Sequence, residues 1–182
     1  MPVNRKIVFI IGGARSGKST FAQKIAGGLG EKVMFVATGE PLDEEMKARI
    51  EKHKRNRPGS WITLEAPKQV GRAISHAKPG DYQVVLIDCI TLLVSNLLGE
   101  IPDEVESEKR IAVEMNELIN IVTKISAHCI IVSNEVGLGL VPDNKLGRLY
   151  RDLLGKANQI IAQHATEVYF LAAGIPLMIK GE

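Results

Sequence analysis

Residues 12–19, which read GGARSGKS, have the composition and spacing of a loop that binds phosphate. Gly12 and Gly17 allow backbone conformations and close approaches to oxygen that a side chain would prevent. The N–H groups of such a loop surround anionic phosphates, its lysine reaches the β- and γ-phosphates, and its serine hydroxyl is a ligand for Mg²⁺. The alternative is a glycine-rich turn with an incidental lysine. A strand-like run before the loop and a helix-like run after it favour nucleoside triphosphate binding by Gly12, Gly13, Ala14, Arg15, Ser16, Gly17, Lys18 and Ser19.

A carboxylate closes another apolar run. The four residues VVLI precede Asp88. A carboxylate at the end of a strand near a phosphate-binding loop holds Mg²⁺ directly or through water. Many strands end in aspartate for a simpler reason, because aspartate favours turns. In combination with the loop, the pattern favours metal binding by Asp88 together with Ser19.

A histidine lies among cations after the second apolar run. Residues 42–45 carry the acidic start of a predicted helix, and its spacing places Met46, Arg49, Ile50 and His53 on one face, with two apolar side chains to seat the helix on a sheet. The neighbouring cations should lower the pKa of His53, so that a neutral imidazole can attack phosphorus at about pH 7. Cations in a last helical turn are also ordinary partners of the helix dipole, and a lone histidine on a helix face is often structural. The residues alone leave both interpretations open.

Short β-branched runs alternate with helical segments along the chain, and these elements must position the candidate residues. The predicted strands are Ile7–Ile11, Val33–Thr38, Val84–Asp88, Ile130–Ser133, Val168–Leu171 and the weaker Leu177–Ile179. One predicted helix carries an apolar stripe over Ile111, Met115, Leu118, Val122 and Ile125 with charged residues such as Glu114 between them, and another runs from Leu146 to His164 with Asp143 as its cap. This alternation predicts an α/β fold, P-loop NTPase-like, with a mostly parallel sheet and helices on both faces. Ligands of such sheets bind beyond the carboxyl ends of the strands.

Composition excludes several classes of protein. The chain has 182 residues, of which 45% are apolar and 24% charged, and we expect one domain over residues 1–182. A formal net charge of +2 gives no reason to expect a nucleic acid as partner. No apolar stretch approaches the ~20 residues that cross a bilayer. Cys89 and Cys129 lie inside apolar runs, as buried thiols do, and no secretory leader is evident, so the expected location is cytoplasmic.

The ordered set of motifs resembles one enzyme family. The matching segments are GGARSGKS (12–19), ATG (37–39), D-x-E-M-x-x-R-I-x-x-H-K-x-x-R-P (43–58), W-x-T-x-E-A-P (61–67), DCIT (88–91), V-S-N-E-V-G-x-G-x-V-P (132–142) and L-x-R-x-x-R-D-x-x-G-x-x-N-Q (146–159). Together they are similar to the bifunctional adenosylcobinamide kinase / adenosylcobinamide-phosphate guanylyltransferase family of corrinoid assembly. The segments around His53 and Asn134 are more specific than the phosphate loop, and the resemblance spans nearly the whole chain.

The resemblance implies two reactions and a set of roles. An NTP, ATP or GTP, phosphorylates the aminopropanol hydroxyl of adenosylcobinamide; GTP then guanylylates His53, and the GMP passes to the corrinoid phosphate. Lys18 acts as a catalytic residue beside His53. By position, the nucleotide is lined by Ala37, Thr38 and Gly39 and contacted, directly or through its metal, by Lys54, Arg57, Glu65 and Asp88. Asn134, Glu135 and Arg151 are candidates for the corrinoid side, with loop closure and helix capping as the alternative. Family likeness also implies a homo-oligomer, expected to be a trimer.

Two other functions fit part of the pattern. A monofunctional P-loop kinase for a nucleoside or a small alcohol needs the phosphate loop but no guanylylated histidine. A nucleotide-dependent switch needs only binding, and guanine-specific switches usually carry N-K-x-D. Here residues 144–147 read NKLG and are predicted to open a helix instead. The complete set of motifs favours the bifunctional transferase over both.

Overall fold

A computed structural model describes residues 5–41, 43–55, 57–99 and 103–181, without the side chains of Arg49, Lys52 and His53. In these parts of the chain the strands are β1 (Ile7–Gly12), β2 (Val33–Ala37), β3 (Ile62–Glu65), β4 (Val84–Asp88), β5 (His128–Val132), β6 (Glu167–Ala172) and β7 (Ile175–Lys180). The helices are α1 (Lys18–Leu29), α2 (Glu44–Arg55), α3 (Val70–His76), α4 (Ile90–Leu98), α5 (Glu104–Val122) and α6 (Lys145–His164), with a short 3₁₀ helix at Pro79–Asp81. No helix in the described residues has the length and apolarity to span a bilayer.

The seven strands form one sheet in the order β3-β2-β4-β5-β1-β6-β7. Every neighbouring pair is parallel except β6 and β7, which form an antiparallel hairpin at one edge. Parallel pairing of β2, β4, β5 and β1 brings their carboxyl ends to the same side. In register, Ala37 lies beside Asp88, and Asp88 lies beside Val132. The segments that carry the candidate residues therefore leave the sheet at adjacent points.

Helices cover the two faces of the sheet unequally. One face packs against α3, α4, α5 and α6 and includes the larger cluster of buried residues. The other face packs against α1 alone, through Ala22 and Ala26, with Trp61 covering part of the remainder. The α/β, mostly parallel P-loop arrangement predicted from the sequence is thus confirmed, with helices on both faces. Because all but one of the sheet-covering helices lie on one side, the opposite side leaves room near β2.

Strand β3 is not among the strands that the apolar runs predict. Its four residues are mostly exposed and alternate, with Ile62 and Leu64 separated by Thr63. It pairs only with β2, at the edge of the sheet, where a strand needs little apolar character. Several predicted strand ends also shift: β2, for example, stops at Ala37, and β5 begins at His128 and stops at Val132.

Local hydrogen bonds correct three helix predictions. Asn144, not Asp143, caps α6, since its Oδ1 accepts the Gly147 N–H at 2.7 Å. Ile125 lies beyond the end of α5. Glu114, expected on the polar face of α5, is buried and accepts the backbone N–H groups of Gln69 and Val70 at the start of α3. A buried carboxylate that ties two helices together looks, in a sequence, like any other charged residue of a solvent-facing stripe.

Candidate functional site

The loop between β1 and α1 is shaped by glycine at two places. A Cβ on Gly12 would lie 2.5 Å from the Leu171 carbonyl oxygen of β6, so no other residue fits there. Gly17 has φ of 92°, and a Cβ there would approach Gly174 Cα at 3.2 Å. The hairpin between β6 and β7 also donates the Gly174 N–H to the Ser16 carbonyl at 3.0 Å. The loop is therefore held from behind by a neighbouring strand and its turn.

Helix α1 begins at this loop without a side-chain cap. Gly17 occupies the cap position, makes no side-chain hydrogen bond, and is followed by a first turn without acidic residues. The first N–H groups of a helix have no partner within the helix, and the helix dipole places partial positive charge at this end. An uncapped start of this kind, beside a curved loop, is suited to an anion such as phosphate.

Lys18 is the buried cation of the loop. Its side chain is only 7% exposed, and Nζ donates to the Gly13 carbonyl at 2.5 Å and to Ser16 Oγ at 3.4 Å. Burial lowers the pKa of Lys18, while nearby Cys89 and Asp88 oppose that shift. An ammonium group removed from water and bonded to neutral oxygens gains strongly from an anionic ligand.

Thr38 joins the segments that follow β2 and β4. It is fully buried, its Oγ1 donates to the Cys89 carbonyl at 2.7 Å, and the same Oγ1 accepts the Cys89 N–H at 2.8 Å. The Thr38 hydroxyl is therefore committed to the backbone of Cys89, and nucleotide contact by Ala37, Thr38 and Gly39 stays a prediction. Its neighbours Ala37 and Gly39 do border the cavity described below. Thr38 fixes the positions of Ala37 and Gly39 through its hydrogen bonds to Cys89, which follows Asp88.

Asn96 of α4 links the ends of two strands, a role that no sequence pattern indicated. Its Nδ2 donates to the Thr38 carbonyl at 2.8 Å and to the Pro67 carbonyl at 3.0 Å. Thr38 follows β2, and Pro67 follows β3 shortly after Glu65. One amide group therefore sets the separation of two segments that border the same cavity.

Arg57 stacks on the sheet face that α1 leaves open. Its guanidinium carbon lies 3.5 Å from the centre of the Phe35 ring, and Nη1 donates to Thr63 Oγ1 at 3.2 Å. Its Nε is buried and has no hydrogen-bond partner among the described residues. Burial lowers the pKa of Arg57, whereas the charges of Asp88 and Glu65 raise it. Arg57 thus presents a fixed cation with a spare donor near Asp88.

Helix α2 forms a wall above this region. Asp43 Oδ1 accepts the Met46 N–H at 2.7 Å and starts the helix. Met46 and Ile50 are half-buried and line the cavity, so they do not seat the helix on the sheet as expected. Ile50 reaches over Gly39, where a Cβ would lie 3.5 Å from Ile50 Cδ1. The His53 side chain lies outside the described residues, although α2 carries its backbone.

A cavity of about 720 Å³ unites most of the predicted residues. Its volume falls in the range that accommodates one small-molecule ligand, ~300–1,000 Å³. Predicted residues on its lining are Ala14, Arg15, Ser16, Gly17, Lys18, Ser19, Ala37, Gly39, Lys54, Arg57, Glu65, Asp88 and Asn134. Lining residues that the sequence analysis did not single out include Phe35, Glu51, Thr91, Leu92 and Val132. Gly12, Gly13, Thr38, Glu135 and Arg151 are not on the lining.

Glu65 and Lys54 close one side of the cavity with an ion pair. Lys54 Nζ lies 2.8 Å from Glu65 Oε1 and 3.9 Å from Glu51 Oε1. Both partners of the shorter pair are substantially exposed, so the pair contributes only about 0–1 kcal/mol to folding. Its charges are available to a ligand at little cost in stability.

Asn134 is fixed where β5 meets the cavity. Its N–H donates to Thr91 Oγ1 at 2.9 Å, and its carbonyl accepts Asn158 Nδ2 at 3.0 Å. The neighbouring Glu135 N–H donates to the Gly12 carbonyl at 2.9 Å, which ties this segment to the phosphate loop. Arg151 lies on α6, where its Nε is 3.2 Å from Asp152 Oδ1.

Comparison with known proteins gives the family. A family model described as cobinamide kinase / cobinamide phosphate guanyltransferase matches residues 8–179. The chain belongs to this family. A relative from Escherichia coli (strain K12), bifunctional adenosylcobalamin biosynthesis protein CobU, is 39% identical over 96% of this chain and 99% of its own. The CobU protein of Salmonella typhimurium is 37% identical over the same shares, and the CobP protein of Pseudomonas aeruginosa is 39% identical over 95% and 96%.

A solved structure supports the fold independently. A Pyrococcus horikoshii OT3 protein aligns with a TM-score of 0.54 over 97% of this chain and 86% of its own, at 10% sequence identity. At that identity the likeness concerns the fold only. The family assignment rests on the sequence matches, and it agrees with the resemblance that the motifs indicated.

Replacing Asn96 by leucine is expected to loosen the cavity. Two partly buried carbonyls would lose their donor, so we expect the free energy of unfolding to fall by about 1–3 kcal/mol. GTP affinity should fall as well, because Ala37, Gly39 and Glu65 would no longer be held in place. Urea denaturation and calorimetric titration with GTP measure the two effects. Asn116→Leu, on the exposed face of α5, is the matched control, and equal behaviour of the two variants would contradict the assigned role.

Proposed function

We propose that this chain catalyses two consecutive transfers in corrinoid assembly. An NTP, ATP or GTP, phosphorylates the aminopropanol hydroxyl of adenosylcobinamide. GTP then guanylylates His53, and GMP passes from His53 to the corrinoid phosphate to give adenosyl-GDP-cobinamide. The observation that carries the proposal is one cavity in which the loop at residues 12–19, Asp88 and helix α2 meet.

The phosphate loop and α1 hold the triphosphate in both reactions. Backbone N–H groups of the loop and the uncapped start of α1 bind the phosphates, and Lys18 turns from the Gly13 carbonyl to the phosphate oxygens. Phosphoryl transfer needs mainly positioning and charge stabilisation, which these groups supply. A volume suited to one small ligand favours successive use of the same cavity by the two reactions.

Ser19 and Asp88 fit a magnesium ion that accompanies the nucleotide. Both residues line the cavity and offer hard oxygen donors. Mg²⁺ in phosphoryl-transfer sites takes one or two carboxylates together with substrate phosphates, which matches this donor set. When bound, the ion neutralises charge on the phosphate oxygens.

His53 is proposed as the nucleophile of the guanylyl transfer. Its helix lines the cavity through Met46, Ile50 and Lys54, and its sequence spacing from Met46 and Ile50 is that of one helix face. In the first displacement an imidazole nitrogen bonds to the α-phosphorus of GTP and pyrophosphate leaves. In the second, an oxygen of the corrinoid phosphate attacks that phosphorus, and the P–N bond breaks to return free imidazole.

Lys54, Arg57 and Glu65 serve the guanine nucleotide in this proposal. Arg57 has a buried Nε without a partner among the described residues and is stacked on Phe35, so it is aimed before any ligand arrives. Fixed cations stabilise charge that develops at phosphorus without reorganising. Lys54 adds a second cation, and Glu65 holds Lys54 at the cavity edge.

The corrinoid approaches from the β5 side in this proposal. Asn134 borders the cavity there, and Glu135 and Arg151 lie farther out on the adjoining segment and helix. Their polar side chains suit the amide-bearing periphery of a corrinoid. The assignment of these three residues rests on their place next to the phosphate loop.

Three wider features belong to the same proposal. Residues 1–182 form one catalytic domain for both reactions. The location is cytoplasmic, where nucleotides are available and the free thiols of Cys89 and Cys129 stay reduced. The protein is a homo-oligomer, proposed as a trimer, and the edge strand β7 offers it an exposed apolar surface through Ile175, Leu177, Met178 and Ile179.

Nucleotide binding is expected to take up protons at alkaline pH. Burial places the pKa of Lys18 below 10.5 in the free protein, and phosphate oxygens will raise it again. At pH values between the pKa of Lys18 in the free protein and its higher pKa in the complex, the free protein holds fewer protons than the complex. GTP affinity should therefore fall as pH rises through this range. Calorimetry in two buffers of different ionisation enthalpy measures the uptake. Lys18→Arg, which stays protonated, should abolish it, and uptake that persists in this variant would contradict the explanation.

Product analysis tests the proposed function as a whole. Purified protein is incubated with adenosylcobinamide, ATP and α-labelled GTP, and the corrinoids are separated by chromatography. We expect adenosylcobinamide phosphate first, then a labelled guanylylated corrinoid with release of pyrophosphate. Formation of the phosphate alone would indicate a monofunctional kinase. Nucleotide exchange without any transfer would indicate a binding module.

A further inference from the structure

The segment between β5 and α6, together with the first turn of α6, exposes an unusual set of apolar side chains. Leu138 is 80% exposed, Leu140 95%, Val141 65% and Leu146 62%. Single exposed apolar residues are common on protein surfaces, but four large ones within nine positions indicate a contact with something apolar. Full burial of one such side chain stabilises a folded protein by roughly 1.5–3 kcal/mol relative to leaving it exposed. These four side chains do not make that contribution in the isolated chain.

The segment is tied down although its apolar side chains stay outside. Arg148 Nη1 donates to the carbonyls of Pro142 and Asp143 at 3.0 and 2.8 Å. A Cβ on Gly147 would lie 2.8 Å from Pro142 Cβ, so α6 and the segment touch closely. The leucines are therefore presented by a segment whose backbone is anchored at its end.

The same segment starts at the cavity. Asn134 lines the cavity, and the next residue, Glu135, donates its N–H to the carbonyl of Gly12 where the phosphate loop begins. In the sheet, β5 lies between β4, which ends at Asp88, and β1, which leads into the loop. Leu138 and Leu140 thus follow the cavity-lining Asn134 by four and six positions in the chain.

The combined size of the nucleotide and the corrinoid requires a binding surface outside the cavity. The cavity has the volume for one ligand of about nucleotide size. A corrin macrocycle is larger than a nucleotide and carries methyl groups around its ring, and its aminopropanol arm is joined to the ring through a flexible amide-linked chain. The ring must therefore rest outside the cavity while the arm enters, and its methyl groups suit apolar protein surface there, as its amides suit polar side chains.

We propose that Leu138, Leu140, Val141 and Leu146 form the docking surface for the corrin ring of adenosylcobinamide. The aminopropanol arm then passes Asn134 into the cavity. The inference rests on the proposed function and gives its corrinoid substrate a binding surface. The other exposed apolar set, on β7, lies at the edge of the sheet beyond β6 and is assigned to contacts between subunits instead.

Serine variants of the most exposed pair test this surface. The double variant Leu138→Ser/Leu140→Ser removes little buried area, so its stability should remain within about 0.5 kcal/mol of the parent. We expect the KM for adenosylcobinamide to rise by about tenfold or more, as for loss of apolar contacts in other sites, with kcat nearly unchanged. Guanylylation of the protein by GTP alone, which involves no corrinoid, should keep its rate. Val113→Ser, on the exposed face of α5, is the control.

Direct binding separates this inference from the proposed function. Equilibrium dialysis with adenosylcobinamide, followed by its visible absorbance, needs no catalysis. Weaker binding by the double variant supports the surface even if no transfer is observed with the parent protein. Equal affinity of both proteins, or no binding by the parent, would overturn it. A change of oligomeric state that accompanies weaker binding, seen by light scattering, would overturn it also, because the side chains would then belong to a subunit contact.

Discussion

Replacing His53 by alanine will abolish labelling of the protein by α-labelled GTP and leave phosphorylation of adenosylcobinamide intact. A methyl group cannot attack phosphorus, and loss of a nucleophile from an enzyme that works through a covalent intermediate lowers the rate by about 10⁴-fold or more. The kinase step uses the corrinoid hydroxyl as its nucleophile and does not need the imidazole. Labelling quenched under alkaline denaturing conditions, which preserve a P–N bond, and a chromatographic kinase assay measure the two steps separately.

His76→Ala serves as the control for this experiment. His76 is the exposed last residue of α3 and is not on the cavity lining, so this variant should be labelled like the parent. Full labelling of the His53→Ala protein would show that another group carries the GMP. Loss of both activities in that variant, with circular dichroism unchanged, would show that His53 serves the kinase step too.

Replacing Lys18 by glutamine will lower both activities by about 10²- to 10³-fold. The figure is that for removing one well-placed charged or hydrogen-bonding group from a transition state, and Lys18 is the buried cation of the loop that both reactions share. Initial rates of corrinoid phosphorylation and of protein guanylylation give the comparison. Lys24→Gln, on the exposed side of α1, should leave both rates near those of the parent.

The two rates together test whether one cavity serves both reactions. If both rates fall by a similar factor in the Lys18→Gln variant, the two reactions share one triphosphate site. A fall in only one of them would mean that the other nucleotide binds elsewhere, and the proposal of successive use of one cavity would then be wrong.

Local patterns predicted the parts of the site that lie close together in the chain. Eight consecutive residues define the phosphate loop, and Asp88 follows an uninterrupted apolar run, so both could be found without knowing the pairing of strands. The structure places Lys18, Ser19 and Asp88 on one cavity, as the topology of a parallel sheet requires. The sequence pattern did not predict which residue packs against the loop. Glycine is required at position 12 because Leu171, far along the chain, lies against it.

Contacts between distant segments account for the features that sequence reasoning missed. Thr38 was expected to face a ligand, yet its hydroxyl bonds to the backbone of Cys89. Asn96 bonds to two segments that follow strands, at Pro67, 29 positions before it in the chain, and at Thr38, 58 positions before it. Arg57 stacks on Phe35 because α1 covers only part of its face of the sheet. Each interaction depends on a partner that no periodicity identifies.

Strand β3 and the cap of α6 illustrate two further limits. An edge strand exposed on most of its length carries no apolar run, so Ile62–Glu65 gave no signal. Asp143 and Asn144 are adjacent and both are good caps, and only the backbone geometry selects Asn144. The predicted and observed starts of α6 differ by one residue, and this difference does not alter the site.

Mass spectrometry of the GMP adduct shows whether His53 carries the guanylyl group between GTP and the corrinoid phosphate. The protein is incubated with GTP, digested under alkaline conditions that preserve a P–N bond, and its peptides are fragmented. We expect GMP on the peptide that contains His53, and loss of that adduct after cobinamide phosphate is added. An adduct on any other residue, or an adduct that the corrinoid phosphate does not discharge, would contradict it.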